Sequence, residues 1–271
     1  MDVRHRWIPP VVRSATLLLT LGLLIWLWAW TCSQVSLALA SPSGKGQASS
    51  PGPLDLQVNV FNGNLSYSQT DLSFPCANCT LPLDVYLTYN SQDAQIGGLM
   101  RLYGWRFPHD VAYRTAEDGA VTFHWSGGAS VRFEPVEGGG FEAPPGVTDK
   151  LTSPQPGQYV LTTCNNLTYY FDSPRHRRVS RIEASNGQAL ALTYDTFNKL
   201  VAIRDPYGRQ ISLTYDPTGY LTGVTDPNVS PPRIVHYTHD AAGNLTSVTD
   251  ALGHTTTYAL SLIHISEPTR L

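Results

Sequence analysis

Apolar and polar residues alternate along most of the chain, and short turn sequences separate the alternating segments. Between residues 209 and 215, Ile211, Leu213 and Tyr215 alternate with polar side chains, as expected of a strand with one buried face. A longer alternating series is formed by Leu81, Leu83, Val85, Leu87 and Tyr89. No segment after residue 40 has a sustained helical apolar period. The pattern predicts an all-β protein, an antiparallel meander of hairpins without a helix of note.

Turn sequences recur about every ten or eleven residues in the last third of the chain, most clearly at 205–208, 216–219, 240–243 and 250–253. Asp accepts hydrogen bonds at the first position of a type I turn, and Pro presets φ at the second. Gly takes the positive φ that follows, as we expect of Gly219 and Gly243. Each period therefore contains two strands.

Tyrosines recur with these turns at intervals of 21, 22 and 21 residues, at Tyr194, Tyr215, Tyr237 and Tyr258. Aspartates follow the first three directly or closely, at Asp195, Asp216 and Asp240. A fixed period of this length indicates a stacked array in which each unit buries its apolar face against its neighbours. The second strand of each period carries apolar residues three apart, which indicates either a β-bulge or contacts on both faces: Leu200 with Ile203, Leu221 with Val224, and Leu245 with Val248.

The tyrosine, aspartate and glycine pattern resembles the YD-repeat, or Rhs, family over whole periods, at 192–195, 213–227 and 240–250. The third unit departs from the family pattern, because it has an insertion at 228–232 and reads Tyr-Thr-His-Asp at 237–240. Segments further upstream resemble the N-terminal region of Rhs-type proteins: 58–65, 70–75, 81–83, 88–91, 104–105 and 131–135. The resemblance covers roughly residues 55 to 259.

The region before the repeats also has its own hairpin signals, Asn62-Gly63, Asp118-Gly119 and Gly127-Gly128, between short apolar runs. We expect its aromatic side chains to form a core, and a sugar-stacking role for one tryptophan is the alternative. These aromatic residues are Trp105, Phe107, Phe123, Trp125 and Phe133.

Both ends of the chain have distinct compositions. Three arginines, an apolar run from 15 to 30 and Ala38-Leu39-Ala40 predict a signal peptide over 1–40, cleaved after Ala40, with an uncleaved membrane anchor as the alternative. Residues 41–54 are rich in Ser, Pro and Gly and predict a flexible linker. We expect the Rhs-type β-region at 55–165 and the YD repeats at 166–259. Residues 260–271 resemble a translated sequencing-adapter oligonucleotide, and a natural tail is the alternative.

Charge and cysteine content narrow the function classes. Loss of residues 1–40 would remove three basic residues and Asp2 from 18 basic and 21 acidic ones, leaving 15 and 20. A mildly acidic chain without a basic stripe predicts no nucleic-acid partner, and 175–178, Arg-His-Arg-Arg, is interpreted as a solvated turn. Cys76 and Cys79 are expected to form a local disulfide in an exported protein, with free thiols as the alternative. A zinc site would need two further ligands.

Signatures of catalysis are missing from the sequence, and no cofactor is expected. It contains no nucleophile elbow, zinc-protease motif, phosphate-binding loop or EF-hand loop. His109-Asp110 lacks a nucleophile, and the repeat aspartates are interpreted as turn formers.

Family resemblance implies a structural carrier whose β-shell encloses a C-terminal cargo domain, often a toxin. The predicted signal peptide indicates that the protein is secreted or at the cell surface, and the missing motifs indicate that it is not an enzyme. The alternative to the carrier is a cell-surface module that binds carbohydrate. The membrane is a partner only if the signal stays uncleaved.

Overall fold

The strands of the residues that the structure describes form three antiparallel sheets, and within each sheet they follow chain order. The structure, a computed structural model, describes residues 49–51, 57–59, 64–76, 79–91, 104–126 and 129–259. These residues contain twenty strands and no α-helix, which confirms the prediction of an all-β meander. The predicted signal peptide at 1–40, the adapter-like segment at 260–271 and the pairs Asn62-Gly63 and Gly127-Gly128 lie outside the described residues.

The first sheet has five strands, β1 (Ser49–Pro51), β2 (Gln57–Asn59), β3 (Leu65–Leu72), β4 (Val85–Asn90) and β5 (Trp105–Arg106). The second has four, β6 (Ala112–Thr115), β7 (Val121–His124), β8 (Ser130–Pro135) and β9 (Phe141–Glu142). β6 and β7 are joined at Asp118-Gly119, as predicted, where Gly119 has a φ of 83°. Strand β1 lies within 41–54, the segment expected to be a flexible linker, so residues 49–51 of that segment are paired with β2.

The third sheet is an eleven-stranded meander and is called the array below. Its strands are β10 (Lys150–Thr152), β11 (Tyr159–Thr162), β12 (Leu167–Phe171), β13 (Arg181–Ala184), β14 (Ala189–Tyr194), β15 (Leu200–Arg204), β16 (Gln210–Tyr215), β17 (Leu221–Asp226), β18 (Arg233–His239), β19 (Leu245–Thr249) and β20 (Thr255–Thr257). The meander begins at Lys150, so it runs through the boundary at 165 that separated the two predicted regions.

Among the described residues, one hydrophobic core includes side chains of the first sheet, the second sheet and the array. The alternating series on β4 and before it is buried as predicted, with Val85 and Leu87 at its centre. Of the five aromatic residues expected in the core, four are buried and Trp125 is half-buried. Burial of this much apolar surface is the main term that holds these sheets together.

Three β-bulges explain the apolar residues spaced three apart in the second strand of each repeat. Tyr194 pairs with Leu200 while Thr193 pairs with Ala202, so one extra residue lies in β15. The same shift occurs between β16 and β17 and between β18 and β19. The extra residue brings Leu200 and Ile203 to the same face, and both are fully buried. Of the two interpretations left open by the sequence, the bulge is correct.

Candidate functional site: the contact between the first sheet and the array

The regular repeat tyrosines tie neighbouring hairpins of the array together. The hydroxyl of Tyr194 donates to the carbonyl oxygen of Val179 at 2.8 Å, and that of Tyr215 donates to the carbonyl oxygen of Leu200 at 2.7 Å. Each acceptor lies 15 residues before its tyrosine, so the contact repeats with the period. Burial raises the pKa of both hydroxyls, which keeps them neutral donors.

Tyr237 does not occupy the repeat position of Tyr194 and Tyr215, although the sequence grouped all of these together. Tyr215 pairs with Leu221, and the residue that pairs with the equivalent Leu245 is His239. Tyr237 instead pairs with Val248, as Leu213 pairs with Val224. The sequence grouping was wrong because Tyr-Thr-His-Asp moves the tyrosine by two residues, which leaves it on the same face of the strand.

Tyr258 also takes the inner position of Leu213. Thr257, the residue before Tyr258, pairs with Ser247. Ser212, the residue before Leu213, makes the equivalent pair with Ala202. The four evenly spaced tyrosines therefore form two structural pairs, of which the second faces the first sheet.

This second pair of tyrosines reaches across the core to strand β3. The Tyr237 hydroxyl donates to Oδ2 of Asp71 at 2.8 Å, and the Tyr258 hydroxyl donates to Oε1 of Gln69 at 2.8 Å. We call these four residues the docking seat. Its partners are 166 and 189 residues apart in the chain, so the seat joins distant segments.

Aromatic rings pack around the Tyr258 end of the docking seat. The ring centroid of Trp105 lies 4.9 Å from that of Tyr258 and 5.2 Å from that of Tyr89. Tyr67 contacts Trp105 edge-on and donates a second hydrogen bond to Gln69 Oε1 at 2.7 Å. Such edge-to-face contacts favour one arrangement of the rings over others. Trp105 is therefore a packing residue of the seat, as expected of a core aromatic.

Two arginines hold the segment that follows β3 against one end of the array strands. Arg209 lies just before β16 and Arg233 begins β18. Phe74 is buried, with the guanidinium carbons of Arg209 and Arg233 at 5.6 Å and 5.0 Å from its ring centroid. Nη1 of Arg209 donates to the carbonyl oxygen of Pro75, and Nη1 of Arg233 donates to that of Ser73, each at 3.3 Å. The guanidiniums combine cation–π contact with hydrogen bonds to the backbone.

Each of these arginines is also paired with a buried aspartate at the start of its own turn. Arg209 Nε lies 2.7 Å from Asp205 Oδ2, and Arg233 Nη2 lies 2.7 Å from Asp226 Oδ2. Burial alone would raise the pKa of Asp226, but hydrogen bonds from Asn228 and Arg233 lower it below its usual range. The Asp226 carboxylate thus stays charged, and both aspartates hold their arginines in place.

Most turn aspartates act on the backbone of their own turn, as the sequence predicted. Oδ1 of Asp195 accepts from the amides of Phe197 and Lys199, and Oδ1 of Asp240 accepts from those of Ala242 and Asn244. Asp216 accepts from Thr218 and two backbone amides, and these bonds lower its pKa. Gly219 and Gly243 have φ values of 96° and 89°, as their turn position requires.

His109 and Asp110 form no acid–base pair. Burial lowers the pKa of His109 to about 4, so the ring is neutral at physiological pH. Asp110 lies 2.6 Å from Nη1 of Arg178 and 3.7 Å from Nη1 of Arg106. The segment 175–178 is therefore only partly a solvated turn, because Arg178 fastens it to the loop after β5.

Cys76 and Cys79 form a disulfide bond, as predicted. The sulfurs of Cys76 and Cys79 are 1.98 Å apart, in the segment that Arg209 contacts. The backbone amide of Cys164 donates to Asp149. Among the described residues there is no cluster of three potential metal ligands, and no helix there could cross a bilayer.

Repeated antiparallel hairpins, closed by aspartate turns and joined by tyrosine hydroxyls, define a β-hairpin repeat protein. Residues 194–228 and 236–260 match the RHS Repeat family, and residues 56–133 match the family described as Domain of unknown function (DUF6531). Residues 194–228 and 236–260 therefore carry RHS repeats. The comparison with curated proteins found no match.

Solved structures of TcdB2-TccC3 are similar over most of this chain. The form without its hypervariable C-terminal region is 15% identical with a TM-score of 0.31, and the match covers 76% of this chain and 12% of that chain. A second TcdB2-TccC3 structure is 14% identical with a TM-score of 0.30 and covers 75% and 12%. The chain thus spans about an eighth of the length of the chains it resembles.

Proposed function

We propose that this chain is the non-catalytic, structural part of a larger exported Rhs-type protein, whose β-shell encloses and carries a C-terminal domain, a toxin in the favoured case. The observation that carries the proposal is the uninterrupted meander of eleven strands, in which the repeated side chains serve turns and strand contacts. Side chains with these roles stabilise the sheet, which is what a structural shell requires.

The dimensions of a repeat suit a wall that grows by addition. A strand of six residues such as β16 is roughly 20 Å long, and each repeat of two strands widens the sheet by about 9.6 Å. Strands twist relative to their neighbours, so a long sheet of this kind curves and can close around a volume. The first sheet packs on one face of the array. We propose that this packed region forms one end of the enclosure.

The non-enzymatic part of the proposal rests on where the carboxylates lie. Asp195, Asp216 and Asp240 accept hydrogen bonds from their own turns, and Asp205 and Asp226 bind arginines. A glycoside hydrolase needs two cooperating carboxylates, and these five aspartates instead have structural partners. We propose secretion or display at the cell surface as the location, and the cargo domain as the main partner.

Limited proteolysis tests the carrier function. The full-length product should protect a C-terminal segment of its own chain from protease, whereas residues 41–259 expressed alone should be catalytically inert and associate through the strands near Tyr237 and Tyr258. An unprotected C-terminal segment in the folded full-length product would contradict the carrier.

A second candidate, a surface module that binds carbohydrate, is favoured by two exposed aromatic side chains. Phe197 and Tyr207 lie in turns at opposite ends of the strands, with 79% and 53% of their surfaces exposed. Aromatic faces at a surface can stack on sugar rings. Binding of a glycan by the monomeric fragment, lost in Phe197→Ala or Tyr207→Ala, would favour this module over the carrier.

A further inference from the structure

The docking seat contains two parallel hydrogen bonds that differ in one chemical respect. Both donors are tyrosine hydroxyls at the same repeat position, and both acceptors lie on β3, two residues apart. The acceptor for Tyr258 is the amide of Gln69, which does not ionise, and the acceptor for Tyr237 is the carboxyl of Asp71. One bond of the pair can therefore respond to pH while the other serves as its neutral counterpart.

Asp71 faces the contact between the sheets as Gln69 does two residues earlier, and a β-bulge at Asp71 brings Leu72 to the same face. Thr70 pairs with Tyr86 and Leu72 pairs with Val85, so Asp71 is an extra residue in β3. The bulge lets Asp71 and the buried Leu72 both serve the covered face, although neighbouring residues of a regular strand point to opposite faces. The half-buried Asp71 thus lies beside the buried Leu72 in this contact.

We propose that Asp71 and Tyr237 form a proton-dependent latch, which holds the first sheet firmly on the array while the carboxyl is protonated and weakens once the carboxyl ionises. The reason is the cost of keeping a carboxylate between two packed sheets. Protonation removes that cost and leaves the hydrogen bond from Tyr237 in place.

The groups around Asp71 do not neutralise its charge. Tyr237 on β18 and Tyr258 after β20 interact with Asp71, Tyr67 on β3 binds Gln69, and none of these tyrosines becomes a cation. Tyr86 lies on β4 opposite Thr70, and Arg233, which reaches the carbonyl of Ser73, is paired with Asp226. Burial raises the pKa of Tyr237 and Tyr258, so both remain neutral donors through the range in which Asp71 titrates.

The sign of the pH effect follows from the two states of Asp71. Burial raises its pKa to about 7, and the hydrogen bond from Tyr237 lowers it in part. An exposed aspartate has a pKa of about 3.9. Between these values the docked state keeps a proton that the undocked state releases, so docking weakens as pH rises from about 4 to 7 and changes little above that.

Hydrogen exchange on the full chain measures the latch directly. Exchange rates of β3 amides, divided by their intrinsic rates at each pH, give the protection of the first sheet, and amides of β7 and β8 serve as the internal reference. In the wild-type protein, β3 protection should fall roughly tenfold per pH unit from pH 5 to 7 and level off above. In Asp71→Asn it should not vary with pH, and reference strands should behave alike in both proteins.

Two variants separate the latch from a general effect of the mutation. Gln69→Glu added to Asp71→Asn should restore pH dependence, because it places a carboxyl at the neutral position; no restored dependence would contradict the latch. Tyr237→Phe removes the bond that lowers the Asp71 pKa, so the fall in protection should extend to higher pH. Wild-type β3 protection that is constant from pH 5 to 8 would overturn the proposal. If Asp71→Asn does not fold, an unchanged profile in Tyr237→Phe would overturn it equally.

Discussion

Arg233 and Phe74 are in contact although they are far apart in the chain: the guanidinium carbon lies 5.0 Å from the ring centroid. The same arginine donates to the carbonyl of Ser73, which precedes Phe74, across 160 residues. This contact joins the segment after β3 to the start of β18. Contacts of such long range form slowly because they close large loops.

Replacement of Phe74 should destabilise the contact between the segment after β3 and the ends of the array strands. Phe74→Ala removes a buried ring and leaves a cavity between Arg209 and Arg233, and we expect a loss of about 3–5 kcal/mol in the free energy of unfolding. Phe74→Leu keeps most of the apolar volume and should cost less, about 1.5 kcal/mol. Chemical denaturation of the three proteins measures both values. Equal losses in the two variants would show that the cavity is not the cause.

Gly157 and Gly187 form a matched pair for testing backbone strain against close packing. Both have positive φ, 77° and 80°, but a Cβ at 157 would lie 2.8 Å from Cβ of Pro174, while a Cβ at 187 would meet nothing within 4 Å. Gly187→Ala should cost about 1–2 kcal/mol for the left-handed conformation alone. Gly157→Ala should cost about 1–3 kcal/mol more, because the neighbouring chain must move. Thermal unfolding that ranks them in the other order would contradict the assigned contact.

His109 should make the protein sensitive to acid. Its pKa is lowered to about 4 when folded, and an exposed histidine has a pKa of about 6.5, so the unfolded chain binds a proton that the folded chain does not. Stability contributed by the neutral ring is complete above pH 6.5 and should be lost by an amount on the order of 3 kcal/mol as pH falls to 4. Asp71 contributes the opposite pH dependence over the same range, so the comparison is made in the Asp71→Asn background. There, His109→Phe should flatten the dependence, and substitution of the exposed His254 by Gln should leave it unchanged. Denaturation midpoints between pH 4 and 7 test it.

Secreted material should contain Cys76 and Cys79 joined to each other. The two residues lie in the segment bound by Arg209, so the covalent link closes a short loop beside that contact. Mass spectrometry without reductant is expected to find the peptide two hydrogens lighter than its dithiol form. Detection of both thiols free in the secreted protein would rule the pairing out.

Local patterns were sufficient to predict the strands and turns of this fold. The alternation around Val85 and Leu213 and the Asp-x-x-Gly turns each depend on residues close in the chain. The bulges were left open because the spacing of Leu200 and Ile203 fits two geometries, and only the pairing of strands separates them.

The contact between the first sheet and the array could not be predicted, because its partners share no local signal. Gln69 and Asp71 look like ordinary polar residues of a strand, and Arg209 and Arg233 look like ordinary cations after a turn. Tyr237 did give a signal, the departure from Tyr-Asp in the third unit, but its meaning depends on what lies across the core.

The displacement of Tyr237 by two residues has a consequence for how such arrays can diversify. A tyrosine can move by two residues along a strand and stay on the same face of the sheet. It can therefore exchange a hydrogen bond within the array for one to another sheet without a change in the hairpin. Any unit with Leu at the inner position is then a candidate attachment point for another domain. Moving a tyrosine from the position of Tyr215 to that of Leu213 would be a small change in sequence. It would give a repeat that contacts only its neighbours a hydrogen-bond donor for another domain.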